Sequence, residues 1–326
     1  MLNRVFSSTP VALVVGLLAY GSVPFAGQAQ SAEGSSPIAS EQAVVNQTAQ
    51  WEGERYPDGR PKVPDELLER MEIVKLEVAW STARDHGYHN QVPGYGQDWV
   101  TMDPDEPLIG RALTAQYMPA RPAYEERLEK AGEAEGFEGP ANTWPIQMLQ
   151  NGDVYVADGF GKIRGGTLIG DRLGNDIYSR SGNGVVFDGS VRDIEGLKEI
   201  DGWNHYIRGS HPSFIMEMML EGVNVPIQIG EATVLPGDVV LAVDNGIVFI
   251  PPRMVREAVR ESEIAVLTDE FAHARMQEGV YSSGQMDASW TEEIWNDFYG
   301  WLEENKEDLP VPTYRIEEII EEQPIG

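Results

Sequence analysis

The segment from Val154 to Asp193 constrains this chain more than any other. A short apolar run, Val154-Tyr155-Val156-Ala157, is followed by Gly159, Gly161, Gly165, Gly166 and Gly170. A helical segment then opens at Asp171, with Leu173 and Ile177 four residues apart on its inward face. Asn183-Gly184 ends it, and a second apolar run, Val185-Val186-Phe187-Asp188, follows. Strand, helix and strand joined by short turns predict a right-handed parallel crossover, and so an α/β fold built on a βαβ unit.

That unit also places chemistry. In open α/β sheets, ligands sit outside the carboxyl ends of the strands. Asp171 follows one such end, and Arg192-Asp193, separated from it by twenty residues, follows its neighbour. Both groups are therefore expected to face one crevice. The free amides of Gly170, Asp171, Arg172 and Leu173 at a helix start suit a carboxylate. Arg192 could clamp that carboxylate or a developing enolate. Asp193, with Asp171 behind it through waters, could hold a hard divalent cation of the magnesium type. The plainer reading is that Asp171 is only a helix cap and Arg192-Asp193 a surface ion pair. The glycines do not follow G-x-G-x-x-G and no Walker lysine-serine pair is present, which excludes a nucleotide-binding loop.

A chain of 326 residues with 41% apolar residues can bury a sizeable core around such a unit. Its 53 acidic and 24 basic side chains leave a net charge of −29, a surface that repels nucleic acid and anionic membranes. Cysteine is absent, so disulfides, thiolate metal sites, thiol nucleophiles and a lipoprotein anchor are excluded.

Residues 1–29 read as a secretory signal. Arg4 precedes the apolar run from Val11 to Ala19, and Gly27 and Ala29 suit a cleavage site. Gly21 and Pro24 break the run, which is short for a bilayer span, so no stable membrane anchor is expected after cleavage. The expected location is periplasmic or secreted. Residues 30–62 are polar and read as a linker or loosely docked arm, with Trp51 and Tyr56 available to pack on the body.

The main body is expected over residues 63–268. Pro64-Asp65-Glu66 opens a helix whose face carries Leu67, Leu68, Met71, Val74, Leu76 and Val78. His86 and His89 fall in a polar loop and read as a solvated pair rather than metal ligands. Leu108 to Met118 reads as a strand, and Glu125 to Glu135 as a helix. Pro212 to Leu220 reads as a helix with Phe214, Ile215, Met218 and Met219 inward, the methionines being core. Arg208 and His211, just before it, lie within reach of a pocket, the histidine reading as structural. Val225–Ile229, Val239–Val243 and Ile247–Ile250 are expected strands, and Met254 to Glu263 a helix. Residues 269–326 read as a helical extension. Its capping box is expected at Ser289-Trp290-Thr291-Glu292, and its apolar stripe runs through Ile294, Phe298, Trp301 and Leu302.

From Gly170-Asp171-Arg172-Leu173 through Arg192-Asp193 the sequence resembles the RraA-like family, which includes class II pyruvate aldolases acting on 4-hydroxy-4-methyl-2-oxoglutarate and related acids. Leu235-Pro236-Gly237-Asp238 and Asp244-Asn245-Gly246-Ile247-Val248-Phe249-Ile250-Pro251 extend the resemblance. It implies a single swivelling-type α/β domain, assembled as homotrimers or hexamers with sites at subunit interfaces. It implies that Asp193 binds Mg2+ or Mn2+ and that Asp171 holds a metal-bound water. Arg192 would stabilise an enolate, and the amides of Gly170 to Leu173 would hold a pyruvyl carboxylate. The signal, the arm, the segment Arg121 to Thr143 and the C-terminal extension depart from the family's aldolases.

The expected function is thus a metal-dependent lyase on a 2-oxo acid, by aldol cleavage or by decarboxylation of oxaloacetate. Two alternatives stand beside it. One is a non-catalytic binding or regulatory member of the same fold; an export signal separates this chain from a cytosolic ribonuclease E partner. The other is a lyase on a sugar-derived acid.

Overall fold

The computed structural model describes residues 36–94 and 99–322. The expected signal at residues 1–29 lies outside them. In chain order the elements begin with α1 (Glu41–Gln47), α2 (Asp65–Arg70), α3 (Leu76–Asp85), β1 (Val100–Thr101), β2 (Leu108–Pro119), α4 (Pro122–Ala134) and α5 (Trp144–Gln147). The site unit comprises β3 (Asp153–Asp158), β4 (Thr167–Ile169), α6 (Asp171–Ser181), β5 (Val185–Val191) and α7 (Ile194–Leu197). Then come β6 (His205–Ser210), β7 (Met218–Val223), β8 (Ile227–Ile229), β9 (Ala232–Val234), β10 (Val239–Val243) and β11 (Gly246–Ile250). Four helices close the described chain: α8 (Val255–Gln277), α9 (Ser283–Met286), α10 (Glu292–Asn305) and α11 (Thr313–Glu321).

One mixed sheet organises the body, in the order β1-β6-β5-β3-β2-β10-β11. Its centre, β2, β3, β5 and β6, is parallel, and β1, β10 and β11 pair antiparallel at the flanks. Two strands branch from it. β4 lies parallel to the end of β5, and β7 lies antiparallel to the end of β2 across a register shift at Gln116/Tyr117. Such branching curls the sheet, because one strand must serve different neighbours along its length.

The apolar runs become strands buried on both faces, as parallel strands require. Tyr155, Ala157 and Phe187 point into one core with Trp144, Ile177 and Leu197. Val154, Val156 and Val186 point into the other, which the β8–β9 hairpin covers. A third core packs α2, α3 and α8 on β10 and β11.

The N-terminal arm is held more firmly than its polar composition suggests. Arg60 is fully buried, with Nη1 2.9 Å from Asp153 Oδ2 and Nε donating to Asp58 Oδ2 at 2.8 Å. Tyr56 lies under its guanidinium at 5.0 Å, and Trp51 packs against the third core. The segment thus docks through Trp51 and Tyr56, as the arm alternative expected, and one buried arginine with its two carboxylates overrides a weak local propensity.

Three further readings are corrected. The helix expected from Pro64 breaks: Val74 and Lys75 are extended (ψ 124° and 133°) and separate α2 and its 3-10 turn from α3. Pro212 to Leu220 is not a helix. Residues 218–223 form β7, with Tyr117 opposite Leu220, while Phe214 and Met216 are 60% and 58% exposed. A short apolar run fits either period, and strand pairing with β2 decides it. The N-cap of α10 is Thr291, whose hydroxyl accepts from the Ile294 amide at 3.4 Å; the capping box belongs to Ser282 and Gln285 of α9. The stripe of α10 does bury, with Ile294, Phe298 and Leu302 against Leu267 and Phe271 of α8. α8 runs without a break through residues 268 and 269, where the extension was expected to begin.

Candidate active site

The glycine-rich turn is not a single loop. Thr167-Leu168-Ile169 forms β4, which pairs in parallel with β5, so the crossover that carries the site is β4–α6–β5. The strand before α6 is therefore β4 rather than the run at Val154. The crevice geometry survives this change, because β4 and β5 are neighbours and end together: the Arg192 amide donates to the Ile169 carbonyl at 3.0 Å.

Gly170 is the N-cap of α6, and its carbonyl accepts from the Gly174 amide at 2.9 Å. The amides of Gly170, Asp171 and Leu173 have no acceptor among the described residues. The Arg172 amide does: it donates to Asp171 Oδ1 at 2.8 Å. Three amides rather than four are thus left open on residues that line the crevice, and Asp171 does partly act as a cap. Its carboxylate also packs against Gly196 of α7, where a β-carbon would stand 2.9 Å from Asp171 Oδ2.

Asp193 occupies left-handed backbone (φ 56°, ψ 43°) as the N-cap of α7. That region costs an L-residue about 1–2 kcal/mol, and such strain clusters at functional sites. Asp193 Oδ2 lies 3.5 Å from Arg192 Nε, and both side chains are about half exposed. The pair is therefore poorly neutralised, and both groups remain available to a ligand.

Asp171, Arg172, Leu173, Arg192 and Asp193 line one cavity of about 590 Å3. The residues singled out in the sequence thus do meet. Asn142, Phe214 and Ile215, which complete the wall together with β4, were missed. Asn142 comes from the Arg121 to Thr143 segment and donates to the Leu168 carbonyl at 2.9 Å, bracing β4. Phe214 arrives from the loop misread as a helix, and exposure of an aromatic ring beside a polar crevice is the sign that would have marked it.

Other candidates fall away from the cavity. Arg208 Nε donates to Asp188 Oδ1 at 2.6 Å, and its guanidinium lies 4.0 Å from the Trp99 ring. His211 accepts from the Ser213 amide at 3.1 Å, in keeping with its structural reading. His86 sits 3.0 Å from Glu257.

The donor set discriminates between kinds of metal site. No cluster of three or more metal-ligating side chains occurs among the described residues. A zinc-type cage does not fit. A magnesium-type ion does, since it keeps most of its water and takes only one or two carboxylates plus substrate oxygens. Asp193 and Asp171 are the carboxylates that line the cavity.

Residues 82–249, just over half of the chain, match the profile of the RraA-like family, described as Aldolase/RraA. The chain belongs to the RraA-like family. Among solved structures, RraAS2 from Streptomyces coelicolor, described as an unusual member of the RNase ES inhibitor RraA protein family, superposes with a TM-score of 0.55 at 25% identity, covering 66% of this chain and 98% of that one. An uncharacterised Pseudomonas syringae protein shares the fold (TM-score 0.55, 20% identity, 70% of this chain and all of that one). The curled α/β sheet is thus that of RraA-like proteins. By sequence, a Pseudomonas fluorescens protein named "Putative 4-hydroxy-4-methyl-2-oxoglutarate aldolase" is 31% identical over 105 residues, 32% of this chain and 63% of that one. Protein DlpA of Legionella pneumophila is 31% identical over 172 residues, 50% of this chain and 24% of that one. The chain therefore spans about a quarter of DlpA and just under two thirds of the aldolase-named relative.

Proposed function

We propose that this RraA-like protein is a divalent-metal-dependent carbon–carbon lyase, cleaving a 4-hydroxy-2-oxo acid or decarboxylating oxaloacetate through a pyruvate enolate. One observation carries the reading: three open amides at a helix start, an under-neutralised guanidinium and a strained carboxylate converge on one cavity. The names of the aldolase relatives point the same way.

In this reading the amides of Gly170, Asp171 and Leu173 hold the substrate carboxylate. Arg192 stabilises the negative charge that develops on the C2 oxygen. In aldol cleavage the C4 hydroxyl loses its proton, the C3–C4 bond breaks, and its electron pair moves toward the C2 carbonyl. The carbonyl product leaves, and C3 takes a proton to give pyruvate. In oxaloacetate the same bond breaks with loss of carbon dioxide. Asp193, with Asp171 behind it, would hold Mg2+ or Mn2+, which when bound supplies Lewis-acid stabilisation of the developing oxyanion.

Pyruvate release from oxaloacetate or 4-hydroxy-4-methyl-2-oxoglutarate is the expected outcome. It should depend on magnesium or manganese, stop with a chelator, and be lost in Arg192→Ala and Asp193→Ala. Folded protein with no divalent-dependent turnover across a panel of 2-oxo acids overturns the reading. That result would favour a non-catalytic regulatory member, a role in line with the RNase ES inhibitor family of the Streptomyces neighbour. Turnover confined to sugar-derived acids would instead reassign the substrate.

Residues 1–29 are read as an export signal, so N-terminal sequencing of the protein from outside the cytoplasm should begin at Gln30. Phe214, on the cavity wall, and Met216, two residues on, are exposed and offer apolar surface for a second copy. Light scattering should accordingly give the mass of a homotrimer or hexamer.

A further inference from the structure

A second cavity, of about 420 Å3, lies at the seam between the N-terminal arm and the body. One wall is the end of α1 and the turn through Trp51; the other includes Leu235, Asp238, Pro252 and Arg253. It shares no residue with the candidate active site.

Two acceptors on its lining residues lack donors among the described residues, and one of them is a buried atom. Gln47 Oε1 is buried with no hydrogen bond. Asp238 is 3% exposed; its Oδ2 accepts from the Leu235 amide at 2.8 Å, and no donor meets its other oxygen. A buried acceptor left unpaired is costly, so a donor is the natural occupant. Burial also pushes the Asp238 carboxyl up to about 7, the mark of a carboxylate short of compensating positive charge.

Arg253 lines the same cavity. Its Nε donates to the Tyr88 hydroxyl at 3.1 Å, which orients the guanidinium. It has no carboxylate partner among the described residues, in a chain where acids outnumber bases 53 to 24. Trp51, Leu235 and Pro252 supply apolar surface between these polar groups.

Each simple ligand class leaves something unmet. A purely apolar molecule would strand both acceptors, an anion would oppose Asp238, and a cation alone would oppose Arg253. We propose that this cavity binds a small zwitterion with an apolar side chain, of the amino-acid class. Its ammonium meets Gln47 and Asp238, its carboxylate meets Arg253, and its side chain packs on Trp51 and Leu235. Because the ligand touches both arm and body, it stabilises the docked arm by mass action.

Calorimetric titration of the full chain tests this with free leucine, methionine and phenylalanine, and with their N-acetyl and C-terminal amide forms. The expected result is saturable binding of at least one free amino acid, with a rise in melting temperature. Blocking either end should weaken it roughly tenfold or more, the loss of one charge-assisted hydrogen bond. Gln47→Leu and Arg253→Gln should each weaken binding similarly while leaving the folded circular dichroism spectrum unchanged. Asp238→Asn keeps the acceptor for the Leu235 amide and removes the charge; if that variant fails to fold, Gln47→Leu decides. Absence of saturable binding, or binding indifferent to Gln47→Leu and Arg253→Gln, overturns the proposal and leaves a cavity filled by water only.

Discussion

Gly170 and Asp193 share one space. A β-carbon on Gly170 would overlap Asp193 Oδ2 and stand 3.1 Å from Arg192 Nε. The two residues follow the adjacent parallel strands β4 and β5, so the glycine is what lets the Asp193 carboxylate and the Arg192 guanidinium close over the start of α6.

Gly170→Ala should therefore separate folding from function. The atoms it would strike are the ends of side chains 42% and 44% exposed, which can swing aside. Melting should fall by only a few degrees (about 1 kcal/mol or less). Turnover on a 2-oxo acid should fall on the order of a hundredfold, as displacement of reacting groups by an ångström does. Steady-state kinetics beside a thermal melt reads both.

Asp193 tests whether backbone strain is held for function. Asp193→Gly relieves the left-handed cost of about 1–2 kcal/mol and adds unfolded-state entropy of about 0.4–1 kcal/mol. The variant should be as stable as the parent or slightly more so, while divalent-dependent turnover is lost. Asp193→Ala keeps the strain and should melt below Asp193→Gly. Urea midpoints rank the three proteins.

His205 makes stability fall in acid. Burial, and then the charge of Lys198, lowers its pKa from 6.5 to about 4, and its Nδ1 accepts from Trp203 Nε1 at 3.2 Å. The native state therefore binds fewer protons than the unfolded state between those values. Its contribution is fully present above pH 6.5 and is lost as pH falls through about 4. His205→Gln should flatten the dependence of the urea midpoint on pH across that window.

Glu263 is the fastening of the C-terminal helices. Its carboxylate is fully buried on α8, 2.7 Å from Arg70 Nη2 of α2 and 3.0 Å from Arg315 Nε of α11. Glu263→Gln removes the buried charge shared by two largely buried guanidinium groups, which keep only the exposed carboxylates of Glu66 and Glu318. A loss of about 3–5 kcal/mol is expected by denaturant titration. Intrinsic fluorescence of Trp290, Trp295 and Trp301 reports whether the C-terminal helices loosen first, since these rings pack around Phe271 and Phe298.

Much of the body was legible because its signals are local. Leu108–Pro119, Val185–Val191, Val239–Val243 and Gly246–Ile250 are strands whose β-branched and apolar runs stop at proline, glycine or aspartate. The start of α6 at Asp171 was legible from its glycine and its four-residue apolar spacing. β4 was hidden, because three residues between glycines are too few to carry a period. Met218 to Val223 was hidden because its apolar residues also fit a helical spacing.

The candidate site divides in the same way. The order of residues along the chain determined that Asp171, Arg192 and Asp193 follow adjacent strand ends, since a parallel crossover has one hand and one rule for where ligands sit. Only the tertiary structure decided that the Arg172 amide is taken by Asp171, that Asp193 is left-handed, and that Asn142 and Phe214 close the cavity. It alone decided that Arg60 meets Asp153 and that Gln47 and Asp238 line one cavity across a seam. Those pairings join residues far apart in the chain, where burial and charge act through space and leave no periodicity along the sequence.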